Sequence, residues 1–350
     1  MLAQFHRFVA FAVSVIILAS ASGVWAEPGN PDYKLSGTLH LPGPTHWDFI
    51  AFDPDHQRLF ITRGESVDIF DVASKKITGS IAGTNGVHGV ALAPDLGIGF
   101  TSNGKANTVT AFDLASFQPV ATIPVGSKPD AIIYDPATHR AFVANADSDS
   151  VTVIDAKKKE VSGTIKLDGN PEYMTLDGPD RLYVNLENKA QIAAVETKGL
   201  KVLANYNLAP NCDGPTGLAI DANHHRLFAS CANKVMLVVN GTTGKIIDTL
   251  PIGGHSDAAL FDPATKLVFS SNGDGTLTII GASGKDQYTV LQTVKTMPTA
   301  RTMALNPLTH EIYLVAAETE GFDPPTEKHP QPRPHVKPDT FTVLTVSPGR

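Results

Sequence analysis

One short pattern recurs seven times along this 350-residue chain: an apolar run, a tight turn that usually opens with Asp, and a second apolar run. The residues that end the first run are Asp53, Ala93, Asp135, Asp177, Asp221, Asp262 and Asn306. Their successive spacings are 40, 42, 42, 44, 41 and 44 residues. A repeat of this length is typical of a β-propeller blade, a single four-stranded sheet. Because one such sheet cannot bury both faces alone, the repeats are expected to pack around an axis with a central channel.

The third repeat shows the four predicted strands of such a blade most clearly, and we name them a to d in chain order. They are residues 129–135, 140–145, 151–155 and 161–167. The apolar run of strand a suits an innermost strand that is buried on both faces. Alternating and β-branched residues in strand c also favour a sheet. The whole chain is therefore predicted to be an all-β protein.

Two segments of the third repeat carry a resemblance to a known family: Ala141-Phe-Val-Ala-Asn145 and Ser150-Val-Thr-Val-Ile-Asp155. The second repeat has the same pattern in Thr108-Val-Thr-Ala-Phe-Asp113. This resembles the YVTN-type repeats of YncE-like proteins over roughly residues 33–348. The resemblance implies a seven-bladed β-propeller that is usually exported, with no single reaction common to the family.

Later repeats depart from this pattern at the end of strand c. Glu196, Asn240, Gly281 and Val346 stand where earlier repeats have Asp71, Asp113 and Asp155. An Asp at this position accepts hydrogen bonds from the backbone of the next turn. The departures therefore predict weaker turn caps in repeats four to seven, with the same fold.

The two ends of the chain are predicted to share the last blade. The seventh repeat stops after its strand c, Phe341-Thr-Val-Leu-Thr-Val346, and has no strand d of its own. Near the start, Lys34-Leu-Ser-Gly-Thr-Leu-His-Leu41 closely matches strand d of repeat three. Pairing these segments would close the ring and remove an open sheet edge.

The N-terminus has the features of a secretory signal peptide. Arg7 precedes a continuous apolar stretch from Phe8 to Ala21, and Val24-Trp25-Ala26 fits a cleavage site. The alternative is an uncleaved membrane anchor, for which about 20 apolar residues would be needed. We predict a signal peptide over residues 1–26 and one propeller domain over 27–350, exported to the periplasm or medium with no membrane span. A net charge of −7 argues against nucleic-acid binding, and a monomer is expected.

Only two cysteines are present, Cys212 and Cys231. In an oxidising compartment such a pair usually forms a disulfide, and the alternative is two free thiols. The blade model places Cys212 before a strand a and Cys231 at the end of a strand b, which puts both on one face of blade five. A disulfide is predicted.

The largest departure from the repeat is an insertion over residues 318–340, which carries six prolines together with His329 and His335. Proline favours extended segments over a packed subdomain. The insertion is therefore either a mobile surface flap or a lid over the channel mouth.

Aligning the repeats on their last strand-a residue and counting five residues back selects one position per repeat. These positions are Asp48, His88, Asp130, Glu172, Thr216, Asp257 and Arg301. They are predicted to converge at the channel mouth, on the face of the two cysteines. Polar residues here could simply hydrate the channel. However, two carboxylates about 7 Å apart repel by roughly 2 kcal/mol at an effective dielectric of about 20, which favours a bound cation or raised pKa values.

Two functions are compatible with this sequence. The first is an exported module without catalysis that binds a protein, glycan or small ligand at the acidic mouth. The second is a metal-assisted hydrolase of the lactonase type, in which His88, Asp130 and Glu172 hold a divalent cation. No other cofactor is indicated, because no motif for covalent haem, a serine nucleophile or a phosphate loop is present.

Overall fold

A computed structural model describes residues 31–284, 286–324 and 333–349. The predicted signal peptide and His329 lie outside this part. Antiparallel strands dominate the described residues, and four short 3₁₀ segments occur at Pro94–Leu96, Ala146–Ser148, Gly178–Asp180 and Glu187–Lys189. No helix among the described residues has the length and apolar character required to cross a bilayer.

The strands are numbered in chain order. The first eight are β1 (Lys34–His40), β2 (Ile50–Asp53), β3 (Arg58–Thr62), β4 (Gly64–Asp71), β5 (Lys76–Ala93), β6 (Ile98–Asn103), β7 (Thr108–Asp113) and β8 (Pro119–Pro124). The next eight are β9 (Pro129–Asp135), β10 (Arg140–Asn145), β11 (Ser150–Asp155), β12 (Glu160–Lys166), β13 (Pro171–Asp177), β14 (Arg181–Leu186), β15 (Gln191–Glu196) and β16 (Lys201–Asn207). The following eight are β17 (Pro215–Asp221), β18 (Arg226–Cys231), β19 (Val235–Asn240), β20 (Ile246–Pro251), β21 (Ser256–Asp262), β22 (Leu267–Asn272), β23 (Thr276–Gly284) and β24 (Gln287–Lys295). The last five are β25 (Met303–Leu305), β26 (Ile312–Ala316), β27 (Thr319–Asp323), β28 (Arg333–Val336) and β29 (Thr342–Ser347).

These strands form units of four. Units 3 to 6 are the four-stranded sheets β9–β12, β13–β16, β17–β20 and β21–β24. Unit 7 is the four-stranded sheet β25-β26-β29-β1. Units 1 and 2 belong to one seven-stranded sheet, β2 to β8, in which the long β5 pairs with β4 along its first half and with β6 along its second. Strand d of repeat one and strand a of repeat two were predicted as separate strands. In the structure they form the single strand β5, in which residues 83–86 bulge out of the ladder with β4 and Gly83 and Gly86 have positive φ values.

The first strands of neighbouring units pack side by side in chain order, from β2 to β5, β9, β13, β17, β21 and β25. The last of them, β25, packs against β2. Apolar side chains fill the spaces between neighbouring units. For example, Phe142 and Val153 of unit 3 share one buried cluster with Leu182 and Val195 of unit 4. The core is thus divided among the interfaces between sheets.

The predicted pairing of the chain ends is observed. Strand β1 runs antiparallel to β29, with Lys34 opposite Ser347 and His40 opposite Thr342. The two ends therefore share unit 7, and β29 has a partner on both edges.

The turns that define the repeat have a common construction. In five of the seven repeats the last residue of strand a accepts a hydrogen bond from the backbone N–H two residues later, as in Asp135 Oδ1 with Ala137 N at 3.0 Å. Asp221 and Asn306 accept the same bond in their own turns. This local bond explains why Asp or Asn recurs at the position.

The disulfide between Cys212 and Cys231 is confirmed, with the two Cα atoms 5.5 Å apart. The two ends of the insertion after β26 pair as a hairpin of β27 and β28. Backbone hydrogen bonds across this ladder organise the two ends in spite of the many prolines. Among the described residues it forms a separate two-stranded sheet.

Candidate functional site

The seven aligned positions each lie five residues before the residue that ends the first apolar run of the repeat, and we refer to them as the mouth cluster. Its members are Asp48, His88, Asp130, Glu172, Thr216, Asp257 and Arg301. In units 2 to 6 the β ladder breaks here. For example, Pro129 pairs with Asn145 and Ile132 with Val143, so Asp130 and Ala131 together face a single residue. A bulge of this kind redirects side chains out of the regular pleat.

Side chains of the preceding unit fix the backbone of the mouth cluster. The Ser102 hydroxyl donates to the Asp130 carbonyl, and Asn185 Nδ2 donates to the Thr216 carbonyl at 2.8 Å. Between units 7 and 1, Thr302 Oγ1 donates to the Asp48 carbonyl at 2.8 Å. These bonds satisfy carbonyl groups that the bulges remove from the ladder.

Asp48, His88 and Asp130 come from three consecutive units and form a compact group. Nδ1 of His88 lies 2.5 Å from Asp48 Oδ2 and 3.6 Å from Asp130 Oδ1. One potential ligand atom from each residue lies within 4.8 Å of the other two. Two carboxylates and one imidazole at such distances suit a shared proton or a divalent cation.

His88 is held in one orientation by its surroundings. The opposite ring edge packs on Gly104 so closely that a Cβ there would lie 2.7 Å from both Cδ2 and Nε2. Nδ1 is therefore directed toward the two carboxylates. Burial lowers the pKa of His88, but the hydrogen bond to Asp48 and the negative charges of both carboxylates outweigh burial and raise it.

Asp257 and Arg301 form a second pair within the mouth cluster. Arg301 Nε lies 3.1 Å from Asp257 Oδ2. Burial nevertheless raises the pKa of Asp257 to about 6, against the opposing effect of the guanidinium. Arg301 is exposed, so this pair lies at the solvent-facing side of the mouth cluster.

Asp130 and Glu172 experience the strongest effects of crowding. Burial raises the pKa of Asp130 to about 7, in spite of the nearby imidazolium of His88. Burial and neighbouring carboxylates raise the pKa of Glu172 well above its usual value. The carboxylates that act on Glu172 are Asp130, Asp257, Glu187 and Asp48. Carboxyl groups from four units therefore face one another, and their mutual repulsion opposes this arrangement unless a proton or a cation is bound.

Two aromatic side chains from units 1 and 4 pack against each other. Phe49 of unit 1 and Tyr173 of unit 4 have ring centroids 5.2 Å apart. Phe49 also belongs to the buried cluster of units 3 and 4, so its side chain reaches across from unit 1. Each ring follows a mouth residue directly in sequence, and we refer to the pair as the aromatic floor.

A largely apolar cavity of about 290 Å³ lies along the first strands of units 3 to 6. Its lining residues are Ile133, Tyr173, Met174, Thr175, Leu176, Leu218, Ala219, Ile220, Ala259, Leu260 and Phe261. Tyr173 belongs both to this lining and to the aromatic floor.

The structure brings the ionisable members of the mouth cluster within electrostatic reach of one another, but its metal-compatible group differs from the predicted one. Sequence analysis grouped Glu172 with His88 and Asp130, whereas Asp48 completes the described group. The Thr216 hydroxyl already has a hydrogen-bond partner within the fold, because it donates to the Ser256 carbonyl at 2.9 Å.

Several residues that contact the mouth cluster or act on its charges were not predicted from the sequence. They are Phe49, Tyr173, Lys105, Lys128 and Glu187. Only the position of Phe49 and Tyr173, one residue after mouth residues, could have indicated them. Asn103 and Asn145, which end the second strands of units 2 and 3, donate to the neighbouring strand, as Asn145 Nδ2 does to Thr152 Oγ1 at 2.9 Å.

The chain matches no protein-family model and no curated protein sequence. Among solved structures, it is similar to Kuenenia stuttgartiensis hydrazine synthase, with 19% identity, a TM-score of 0.67, and coverage of 80% of this chain and 94% of that one. The RRP9 WD40 repeats give 10% identity and a TM-score of 0.76, covering 91% of this chain and 100% of theirs. A mitotic checkpoint complex chain gives 12% identity and a TM-score of 0.71, with 98% of each chain covered.

The chain has a β-propeller fold. At these identities the similarity establishes the fold alone, because propellers support many unrelated functions. The function must therefore be argued from the mouth cluster.

Proposed function

We propose that this chain is an exported, monomeric, YncE-like seven-bladed β-propeller that binds a small cationic ligand at the mouth cluster. Seven four-stranded units and the cyclic packing of their first strands support the blade number. The YVTN-type pattern and the apolar segment after Arg7 support the family and the export.

One observation supports the proposal that the ligand is cationic. The mouth cluster holds four carboxylates and one arginine, and that arginine is already engaged by Asp257. The carboxylates of Asp130 and Glu172 accept no side-chain hydrogen bond from any described residue. The charged groups that act on them include other carboxylates of the mouth cluster. Removal of these groups from water without compensation is costly. A bound cation would offset this cost, and the aromatic floor would favour an organic ammonium as well.

A thermal-shift experiment tests this proposal on the secreted chain, residues 27–350. After treatment with EDTA and dialysis, the melting temperature is measured with putrescine, Zn²⁺, Mn²⁺ or Ca²⁺. At least one cation should raise it in a saturable manner, since ligand at about a hundredfold Kd stabilises by about 2.7 kcal/mol. The response should disappear in the double variant Asp130→Asn with Glu172→Gln.

The control is the charge-matched double variant Asp55→Asn with Glu160→Gln. Both residues are exposed and lie outside the mouth cluster: Asp55 is in the turn after β2, and Glu160 is the first residue of β12. This variant should respond as the wild type does. Failure of all four cations, or an unchanged response in the mouth variant, would overturn the proposal.

The proximity of Asp48, His88 and Asp130 favours a second candidate function, metal-assisted hydrolysis of a lactone or ester. In such an enzyme the protein positions the ion and a nearby carboxylate accepts a proton. Hydrolysis of a simple lactone by metal-supplemented wild type, lost in Asp130→Asn, would support an enzyme. A cation-binding protein without this activity would support the binding module.

A further inference from the structure

We infer that Asp48, His88 and Asp130 form a binding site for a divalent first-row transition-metal ion, of which Zn²⁺ and Mn²⁺ are the ions to test. This inference rests on the proposed function and specifies its cation. It names a group of residues different from the one that the sequence suggested.

The distances within the group are the first support. His88 Nδ1 lies 2.5 Å from Asp48 Oδ2 and 3.6 Å from Asp130 Oδ1, and one ligand atom of each residue lies within 4.8 Å of the others. Ligands bound to one ion at about 2.0–2.2 Å lie roughly 3–3.5 Å from each other. Small shifts of the side chains would therefore allow all three atoms to contact one ion.

The state of Asp130 is a second and independent support. This residue is only 8% exposed, and no described residue donates a hydrogen bond to its carboxylate. Its closest cationic contact is His88 Nδ1, at a distance beyond hydrogen bonding. Buried carboxylates are normally hydrogen-bonded or bound to a metal, whereas the Asp130 carboxylate has only the 3.6 Å ion pair with His88 among the described residues.

The group is also rigidly supported. The Asp48 backbone N–H donates to Thr62 Oγ1 at 2.9 Å, and its carbonyl accepts from Thr302. Ser102 binds the Asp130 carbonyl, and Gly104 packs against the far edge of the His88 ring. Ligands held on strand ends by such supporting bonds lose little freedom when an ion binds.

The donor types select the class of metal. An imidazole nitrogen favours zinc and its neighbours in the first transition row, whereas Ca²⁺ and Mg²⁺ prefer sites built entirely from oxygen. Two carboxylates balance the charge of a divalent ion. Arg301 is paired with Asp257, which reduces its repulsion of that ion.

Calorimetric titration of the metal-free secreted chain tests the inference. Wild type should bind one Zn²⁺ or Mn²⁺ per chain, and Ca²⁺ should bind more weakly. The variants Asp130→Asn and Asp48→Asn keep the size of the side chains, so they should fold, and each should weaken binding at least tenfold. Co²⁺ provides a second readout, because its visible absorption should appear in wild type and be lost in Asp130→Asn.

His225→Gln is the matched control. His225 Nδ1 lies 2.6 Å from Asp177 Oδ2, so this pair has the same close contact without a second carboxylate. The control variant should bind the metal as the wild type does.

The outcomes separate the two proposals. If putrescine stabilises the wild type through Asp130 while Zn²⁺ and Mn²⁺ do not bind, the metal inference is overturned and the cationic ligand site remains. Equal metal affinity in wild type and Asp130→Asn would mean adventitious binding and would also overturn it. If no cation binds, both proposals fail.

Discussion

Glu172 shows what a crowded carboxylate does to stability. Burial and the surrounding carboxylates raise its pKa in the folded protein well above the usual value. The folded protein therefore binds this proton more tightly than the unfolded chain does. The resulting stabilisation is complete below the pKa of the unfolded chain and is lost as the pH rises through the folded pKa.

We expect Glu172→Gln to reduce the pH dependence of stability. In wild type, the unfolding free energy measured with urea in the presence of EDTA should fall as the pH rises above the usual pKa of a glutamate. In the variant this fall should be smaller, because the amide cannot ionise. The exposed residue Glu160 provides the control, and Glu160→Gln should follow the wild type. Parallel pH profiles for wild type and Glu172→Gln would show that the carboxyl is well solvated.

Single residues also show how much of this grouping the sequence could predict. Counting back from the repeated turn selected Asp48, His88 and Asp130, because each stands five residues before the last residue of the first strand in its unit, although these strands begin at different points. It grouped Glu172 with His88 and Asp130 because these residues fall on consecutive repeats, and repeat order alone does not show which side chains approach one another. Asp48 belongs to unit 1, and its carbonyl accepts a hydrogen bond from Thr302 of unit 7. Its position therefore depends on how unit 7, which the two chain ends share, packs against unit 1.

At the scale of the elements, the turn between the first two strands of a unit is the most regular feature. In unit 3, Asp135 is 3% exposed and accepts hydrogen bonds from Ala137 N at 3.0 Å and Thr138 Oγ1 at 2.5 Å. Loss of this carboxylate would leave these donors without a partner.

Asp135→Ala should therefore lower the unfolding free energy by about 1–2 kcal/mol, as loss of a capping side chain does elsewhere. Asp135→Asn keeps an acceptor oxygen and should cost less. Urea unfolding of both variants, with Cm compared at equal m-value, measures the effect. Equal losses in the two variants would show that the charge matters more than the hydrogen bonds.

Strand positions could be predicted closely because the repeated turns punctuate the chain. The same reasoning underestimated how well residues other than Asp can cap these turns. Asn240 was expected to weaken its turn, yet its Oδ1 accepts hydrogen bonds from Thr242 N at 2.9 Å and Thr243 N at 3.0 Å. The hairpin of β27 and β28 was missed because its ladder depends on backbone pairing between distant residues, which proline content does not reveal.

At the scale of the whole molecule, stability depends on the way the two chain ends meet. Strand β1 supplies one edge of unit 7, and Tyr33 just before it ties that unit to unit 6. Its backbone N–H and carbonyl bond with the Gln292 side chain at 3.0 and 2.8 Å, and its hydroxyl donates to the His310 carbonyl at 3.1 Å. The ring of Tyr33 also contacts Phe269 at 5.4 Å between centroids.

Deletion of residues 33–41 should abolish cooperative unfolding. Without β1, the edge of β29 is exposed, and the contacts that join units 6 and 7 through Tyr33 are lost. An open edge of this kind also promotes association between chains. Calorimetry of the truncated protein should show a broad transition at lower temperature, and light scattering should show aggregates. A sharp transition at the wild-type temperature would contradict the role assigned to this strand.

A circular permutation distinguishes loss of the strand from loss of its connection. The segment 33–41 is moved to the C-terminus and joined to residue 349 through a short Gly/Ser linker, so that unit 7 obtains its outer strand from the adjacent chain end. Because the same side chains can pair with β29 in the same register, cooperative unfolding should return. If it does not return while the linker is long enough to reach, the covalent link from β1 to β2 is itself required. The closure would then stabilise the molecule by tying unit 7 to unit 1 through the chain, beyond the pairing of β1 with β29.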